Sequence, residues 1–143
     1  MDVRDVEHLA EAVRIARKFG DRVLLEQYVQ GEDLRLIVIG FKLVAAAIRK
    51  PAAIIGDGRH NCEELIAKQS RRRAAATGGE SRIPVDEETR RCLRQAGYEL
   101  GDVPAVGEEV RVRKTANLHT GGTIHDVTAE LHPSLASAAV TAA

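Results

Sequence analysis

Val3, Val6, Leu9, Ala10, Val13 and Ala16 recur three or four positions apart, the spacing of a single apolar helical stripe. Asp2 or Asp5 can cap that helix, Arg17 and Lys18 fall in its last turn, and Gly20 follows as a stop; a helix to about Phe19 is predicted. The pattern then changes. Arg22–Val29 and Leu34–Ile39 read as strands, and Gly40-Phe41 makes a tight turn into a third, Lys42–Ile48. Leu36-Ile37-Val38-Ile39 and Leu43-Val44-Ala45-Ala46-Ala47-Ile48 show little polar alternation, so both faces of this sheet are expected to be covered. Three antiparallel strands with a helix across one face follow from this reading.

Farther along, Gly56-Asp57-Gly58 is a loop, and Asn61 with Glu64 forms a capping box for a short helix to about Gln69. From Ser70 to Ser81 the apolar period lapses: Ser-Arg-Arg-Arg-Ala-Ala-Ala-Thr-Gly-Gly-Glu-Ser reads as an exposed, mobile insertion. Asp86 starts a helix to Gln95 that Gly97 stops. Glu109–Lys114 alternates valine with charge as a half-buried strand, the glycine-rich Thr115–Thr123 loop follows, and Pro133 opens an alanine-rich last helix. The fold class is α+β, an antiparallel sheet with flanking helices, without internal repeat or heptad.

Composition narrows the function classes. A chain of 143 residues can bury one modest core, and with 3% aromatics and no Trp that core must be Val, Leu, Ile and Ala. Its 21 basic and 21 acidic residues cancel, leaving no global field for nucleic acid or an anionic membrane. Cys62 and Cys92 lack CxxC spacing and read as two free thiols in a reducing cytosol. No stretch approaches the roughly 18 consecutive apolar residues of a membrane span, and the charged start does not resemble a signal peptide. A soluble, cytoplasmic protein is expected.

Several positions can carry chemistry. Glu26, in an apolar strand, can accept a hydrogen bond from an adenine amine or a neighbouring donor; its competing role is a solvent-facing edge position. Asp33 sits after Gly31 where a carboxylate can chelate a ribose diol, or serve as an ordinary turn acid. Arg35, Arg49, Arg113 and Lys114 lie on predicted strands and can bind phosphate oxygens, with surface salt bridges as the alternative. The loop Thr115-Ala116-Asn117-Leu118-His119-Thr120-Gly121-Gly122-Thr123 is sharper: paired glycines let amides converge on an anion, and Asn and Thr add donors. It is not a Walker A loop. His119, His125 and Asp126 lack the spacing of a zinc site, and no metal ligands are assigned. Arg71–Arg73 could touch RNA, but without aromatic interleaving a solvated loop or a lid over an acidic or phosphorylated substrate fits better.

In sequence order these residues resemble the ATP-grasp superfamily of carboxylate–amine ligases, in the subgroup of cyanophycin synthetase and the fused glutathione synthetases. That subgroup has a strand ending in Glu, a Gly-x-Asp-aromatic-Arg turn, Arg-x-Pro-Ala and Gly-Asp-Gly. Later come Arg-x-Thr-Ala-Asn-Leu-Ser-Thr-Gly-Gly-Thr, Asp-Val-Thr and His-Pro. The matching residues here are Glu26, Gly31–Arg35, Arg49–Ala52, Gly56–Gly58, Arg113–Thr123, Asp126–Thr128 and His132-Pro133. Leu34 replaces the usual aromatic and His119 the usual serine. Asn117–Asp126 and the Ser70–Ser81 insertion resemble the N-acetylglutaminylglutamine synthetase subfamily, ligases of a bacterial osmolyte pathway.

The resemblance implies a reaction in which ATP phosphorylates a carboxylate and an amine of a small amino-acid or dipeptide substrate attacks the acyl phosphate. It puts Glu26 and Val29 on adenine, Asp33 on ribose, and Arg35, Arg113, Lys114, Asn117, Thr120, Gly121, Gly122 and Thr123 toward phosphates. Magnesium would be held by residues beyond Pro133 that this chain lacks, as it lacks the preceding lysine-bearing subdomain. A partial ATP-grasp domain is therefore expected, inactive alone. Residues 22–69 would form the adenine and ribose hairpin and helix, 70–108 the insertion and a helix, and 109–143 the phosphate-loop strand and last helix. Apolar surface at its edges suggests a homo-oligomer. The alternatives are a non-catalytic nucleotide- or partner-binding module and a cyanophycin synthetase-type ligase.

Overall fold

The computed structural model describes residues 3, 5–27, 29 and 31–143. The chain divides into two compact units, Met1–Gly31 and Glu32–Ala143. In the first, helix α1 (Val6–Ala16) starts where the Asp5 carboxylate accepts the His8 amide at 2.7 Å, satisfying a donor that the helix itself leaves orphaned. Asp2, the other candidate cap, lies outside the described residues. The helix closes at Ala16 rather than near Phe19, and turns carry the chain to Gly20.

The strand expected at Arg22–Val29 does not form among its described residues, 22–27 and 29, and Tyr28 lies outside them. Leu24, Leu25 and Val29 are exposed. Strand propensity supplies side chains that suit a sheet, but a strand exists only through a partner that takes its N–H and C=O groups. No described strand pairs with this segment.

In the second unit, β1 (Asp33–Ile39) and β2 (Lys42–Lys50) form an antiparallel hairpin. Gly40 and Phe41 both take positive φ, 56° and 59°, as a two-residue turn matched to strand twist requires. The register slips between Ile37 and Val38, leaving Val44 as the extra residue of a bulge. The third strand of this sheet is β5 (Thr123–Asp126), which joins β2 with Lys50 opposite Thr123 and Ala47 opposite Asp126. The third strand of the sheet thus comes from the far end of the chain and not from 22–29. The Thr128 hydroxyl fastens it, accepting the Ala46 amide at 2.9 Å and facing Asp126 Oδ1 at 2.6 Å.

Nor are both faces of the sheet covered. Helix α4 (Pro133–Ala142) packs against β1 and β2, and Leu34, Leu36 and Val38 on β1 are half-buried. The opposite face, with Asp33, Arg35, Ile37 and Ile39, is exposed.

A second, two-stranded sheet pairs β3 (Ala53–Ile55) with β4 (Glu109–Arg111). β4 is shorter than the strand expected at Glu109–Lys114, because beyond Arg111 the amides of Val112 and Arg113 both turn to the Ala52 carbonyl, at 2.9 and 3.2 Å. Helices α2 (Cys62–Ala76) and α3 (Glu87–Gln95) pack on these strands, and Ile54, Cys62, Ile66, Leu93, Val110 and Val112 form the core. That core is aliphatic, as the composition requires. Gly56 is obligatory here: a Cβ would lie 2.1 Å from the Ala105 carbonyl oxygen.

The mobile insertion is a further correction. α2 begins at the Asn61–Glu64 capping box but runs through Arg71–Ala76, and only the residues after it turn. Ala and Arg are strong helix formers, and an apolar stripe is not needed to continue a helix already nucleated and capped. α3 follows its sequence signals, with Asp86 accepting the Thr89 amide at 3.0 Å and Gly97 at φ 83°. Cys62 and Cys92 are free and buried. Among the described residues no helix is long and apolar enough to cross a membrane.

Candidate functional site

The open face of the larger sheet collects the first set of chemistry-bearing residues. Asp33 and Arg49 stand opposite each other in the β1–β2 register, and Arg49 Nη2 donates to both Asp33 carboxylate oxygens, at 2.8 and 3.0 Å. Arg35, two residues along the same strand face, is exposed. Arg49 Nε is buried without a hydrogen-bond partner. The β2–β5 pairing sets Ile124 opposite Arg49 and Asp126 opposite Ala47. The hydroxyl and amide of Thr128 hold the Asp126 carboxyl below its ordinary range.

The same pairing carries the glycine-rich loop to the end of β2. Its backbone closes on itself. The amides of Thr120 and Gly122 donate to the Asn117 carbonyl at 3.2 and 2.9 Å, and that of Gly121 to the Leu118 carbonyl at 3.2 Å. Asn117 Oδ1 accepts the His119 amide at 2.9 Å, capping a short 3₁₀ turn, Leu118–Thr120. The paired glycines therefore do not present amides to an anion. They are needed for packing: a Cβ on Gly121, at φ 92°, would lie 2.3 Å from Ile83 Cγ1, and one on Gly122 would lie 2.8 Å from the Asn117 carbonyl oxygen. Asn117 and His119 are exposed and Thr120 and Thr123 half-buried, so side chains must supply the outward-facing chemistry.

Behind the loop stands the segment read as an insertion. Arg73 Nη2 donates to the Gly122 carbonyl at 2.7 Å, the Ser81 hydroxyl to the Leu118 carbonyl at 2.5 Å, and the Arg82 amide to the His119 carbonyl at 3.0 Å. Ser70 accepts the Ile83 amide at 3.1 Å. Sequence reasoning missed these roles. The one available signal was the helix-forming run Arg71–Ala76 following a capped helix start.

Arg113 and Lys114 belong to different surroundings. Arg113 is only 6% exposed, with Nη1 2.5 Å from Asp86 and Nη2 2.7 Å from Glu88. Its charge is spent on the start of α3, and the Lys114 amide donates to Glu88 at 3.3 Å. Glu26 and Val29 lie in irregular, exposed chain of the first unit. In the Gly-Asp-Gly loop, Asp57 accepts the His60 and Arg59 amides at 2.9 and 3.1 Å and faces His60 Nδ1 at 2.7 Å. Those bonds, the His60 amide foremost, hold its carboxyl well below the usual range. A groove of about 200 Å³ between β3 and α2, bordered by Asp57, Lys68, Gln69 and Arg72, contains none of the predicted site residues. Arg71 and Arg72 are exposed on α2. Among the described residues no three His, Cys, Asp or Glu side chains converge as metal ligands.

Known proteins match this arrangement. The chain is 38% identical over 136 residues to the cyanophycin synthetase of Trichormus variabilis, covering 93% of this chain and 15% of that protein. It is 33% identical over 141 residues to the glutathione biosynthesis bifunctional protein of Mannheimia succiniciproducens, covering 96% and 19%. Among solved structures, the bifunctional glutathione synthetase of Pasteurella multocida superposes with a TM-score of 0.64 at 30% identity, over 96% of this chain and 19% of that one. No family model matches the chain. It spans less than a fifth of the length of these relatives, and its α+β arrangement of antiparallel sheets and flanking helices matches an ATP-grasp portion of the glutathione synthetase.

Proposed function

We propose that this chain is the nucleotide-facing part of an ATP-dependent carboxylate–amine ligase of the ATP-grasp type. The observation that carries the reading is the β2–β5 pairing, which sets Thr123, the end of the Asn117–Thr123 loop, opposite Lys50, next along β2 from the Arg49 that binds Asp33. Similarity to cyanophycin synthetase and to a glutathione synthetase over almost the whole chain supports it. In this reading Glu26 and the backbone at Val29 meet adenine, and Asp33 meets the ribose. Arg35, Asn117, Thr120 and Thr123 face phosphates. The fit is chemical: the exposed guanidinium of Arg35 and the exposed side-chain amide of Asn117 are donors suited to phosphate oxygens. Gly121 and Gly122 shape the loop from beneath, the Lys114 side chain serves the phosphates, and Arg113 joins the loop's start to α3 instead of touching phosphate.

Bound MgATP supplies the phosphoryl group that activates a carboxylate toward an amine. This chain's own contribution is positioning and charge neutralisation, the main terms in phosphoryl transfer. The magnesium ligands are proposed to lie outside its residues. For the substrate we propose N-acetylglutaminylglutamine synthesis, on the Asn117–Asp126 sequence and the Ser70–Ser81 segment. Identity of 38% to cyanophycin synthetase favours a second reading, a cyanophycin-type ligase. Buried free thiols suit a cytoplasmic protein. Self-association through exposed apolar surface at the edges of the chain, and not through the nucleotide-facing sheet face, is part of the proposal.

The test is calorimetric titration with ATP, with and without magnesium, of the wild type beside a Glu26→Ala, Asp33→Ala variant. Binding by the wild type that the variant loses supports the reading, and equal binding by both overturns the assigned adenine and ribose contacts.

A further inference from the structure

We propose that Arg73 is a positioning residue for the Asn117–Gly122 loop, and that the end of α2 with the turn after it is a clamp that orients this loop toward the nucleotide. The inference rests on the phosphate-facing reading of the loop and adds to it the element that holds its conformation. Three loop carbonyls are taken from one side: Gly122 by the Arg73 guanidinium at 2.7 Å, Leu118 by the Ser81 hydroxyl at 2.5 Å, and His119 by the Arg82 amide at 3.0 Å.

The clamp is itself braced. The Thr77 hydroxyl donates to the Arg73 carbonyl at 2.8 Å and accepts the Ser81 amide at 3.0 Å, so helix end and turn are tied before either reaches the loop. The physical consequence is one of sign. A carbonyl oxygen carries partial negative charge, and a loop that showed its carbonyls to a polyphosphate would repel it. With these oxygens drawn toward Arg73, Ser81 and Arg82, the exposed side chains of Asn117 and His119 are what the loop offers to an anion. An arginine suits this position because its charge strengthens the hydrogen bond and places a cation behind the loop.

The test compares Arg73→Met, Arg73→Lys and Ser81→Ala with Arg71→Ala as an exposed control, reading amide hydrogen exchange and ATP affinity in the same samples. For Arg73→Met, exchange at Thr120, Gly121 and Gly122 should speed up by about tenfold and ATP affinity should weaken by a similar factor. Ile66 and Leu93 amides, in the core, should stay protected and show that the fold is intact. Arg73→Lys should recover part of both effects and Arg71→Ala should show neither. Unchanged loop exchange in Arg73→Met overturns the clamp. Faster exchange with unchanged ATP affinity overturns its role in positioning for nucleotide. A wild type that does not bind ATP speaks against the functional reading alone, and loop exchange still decides whether the clamp exists.

Discussion

Arg113 and Asp86 show how surroundings redefine a side chain whose sequence position suggests something else. On a strand beside apolar neighbours, Arg113 has the profile of a phosphate ligand. Folded, it is buried between Asp86 and Glu88 and donates to the Thr89 hydroxyl at 3.2 Å. A charge so placed cannot leave for a ligand without stranding two carboxylates. At Asp86, partial burial acts to raise the carboxyl pKa, but the Thr89 amide and the Arg113 guanidinium outweigh it and the net shift is downward. A carboxyl depressed in the folded state contributes stability that is present above its unfolded value, about 3.9, and is lost as pH falls through the lower folded value. Asp86→Asn keeps a helix cap and removes the charge. Wild-type stability, followed by urea unfolding from about pH 5 down to about pH 2, should therefore fall more steeply than that of Asp86→Asn, and parallel slopes would contradict this account.

Among the elements, the glycine-rich loop is the one where sequence chemistry and structural role diverge. Paired glycines suggest amides aimed at an anion, yet the amides of Thr120, Gly121 and Gly122 end on carbonyls within the loop. Their true constraint is space. Gly121 combines φ 92° with Ile83 packed where a Cβ would go, whereas Gly78, at φ 61°, has nothing within 4 Å. Gly121→Ala should cost about 2–4 kcal/mol, the sum of backbone strain and overpacking, while Gly78→Ala should cost only about 1 kcal/mol. Chemical denaturation midpoints give both values, and equal costs would show that backbone strain alone governs the loop.

For the whole molecule, the distribution of burial matters most. No described residue of 1–31 is buried, and the core cluster runs from Ala52 to Val112. The unit Glu32–Ala143 therefore holds its own core, two sheets and three helices. A chain trimmed to residues 32–143 should unfold cooperatively, with a midpoint close to that of the full chain, as followed by circular dichroism. Loss of the cooperative transition would mean that residues 1–31 contribute to the core in a way their exposure does not suggest.

Much of this architecture is local and was legible in the residues. Asp5, Asn61, Asp86 and Pro133 start helices where side-chain oxygens or a fixed φ meet backbone needs within one turn. Gly40-Phe41 closes its hairpin because a two-residue turn has few allowed conformations. The resemblance to ATP-grasp ligases was also legible, since the motifs that carry it depend on order and spacing along the chain. What only the tertiary structure decided is pairing between distant segments. The third strand of the larger sheet is β5 and not 22–29, the Ser70–Ser81 segment is a helix end and a brace instead of a mobile loop, and Arg113 faces α3 instead of the glycine loop. Each of these depends on which surface a segment meets after the chain has turned back on itself, and a one-dimensional pattern specifies how well a segment would suit a partner without specifying which partner it finds.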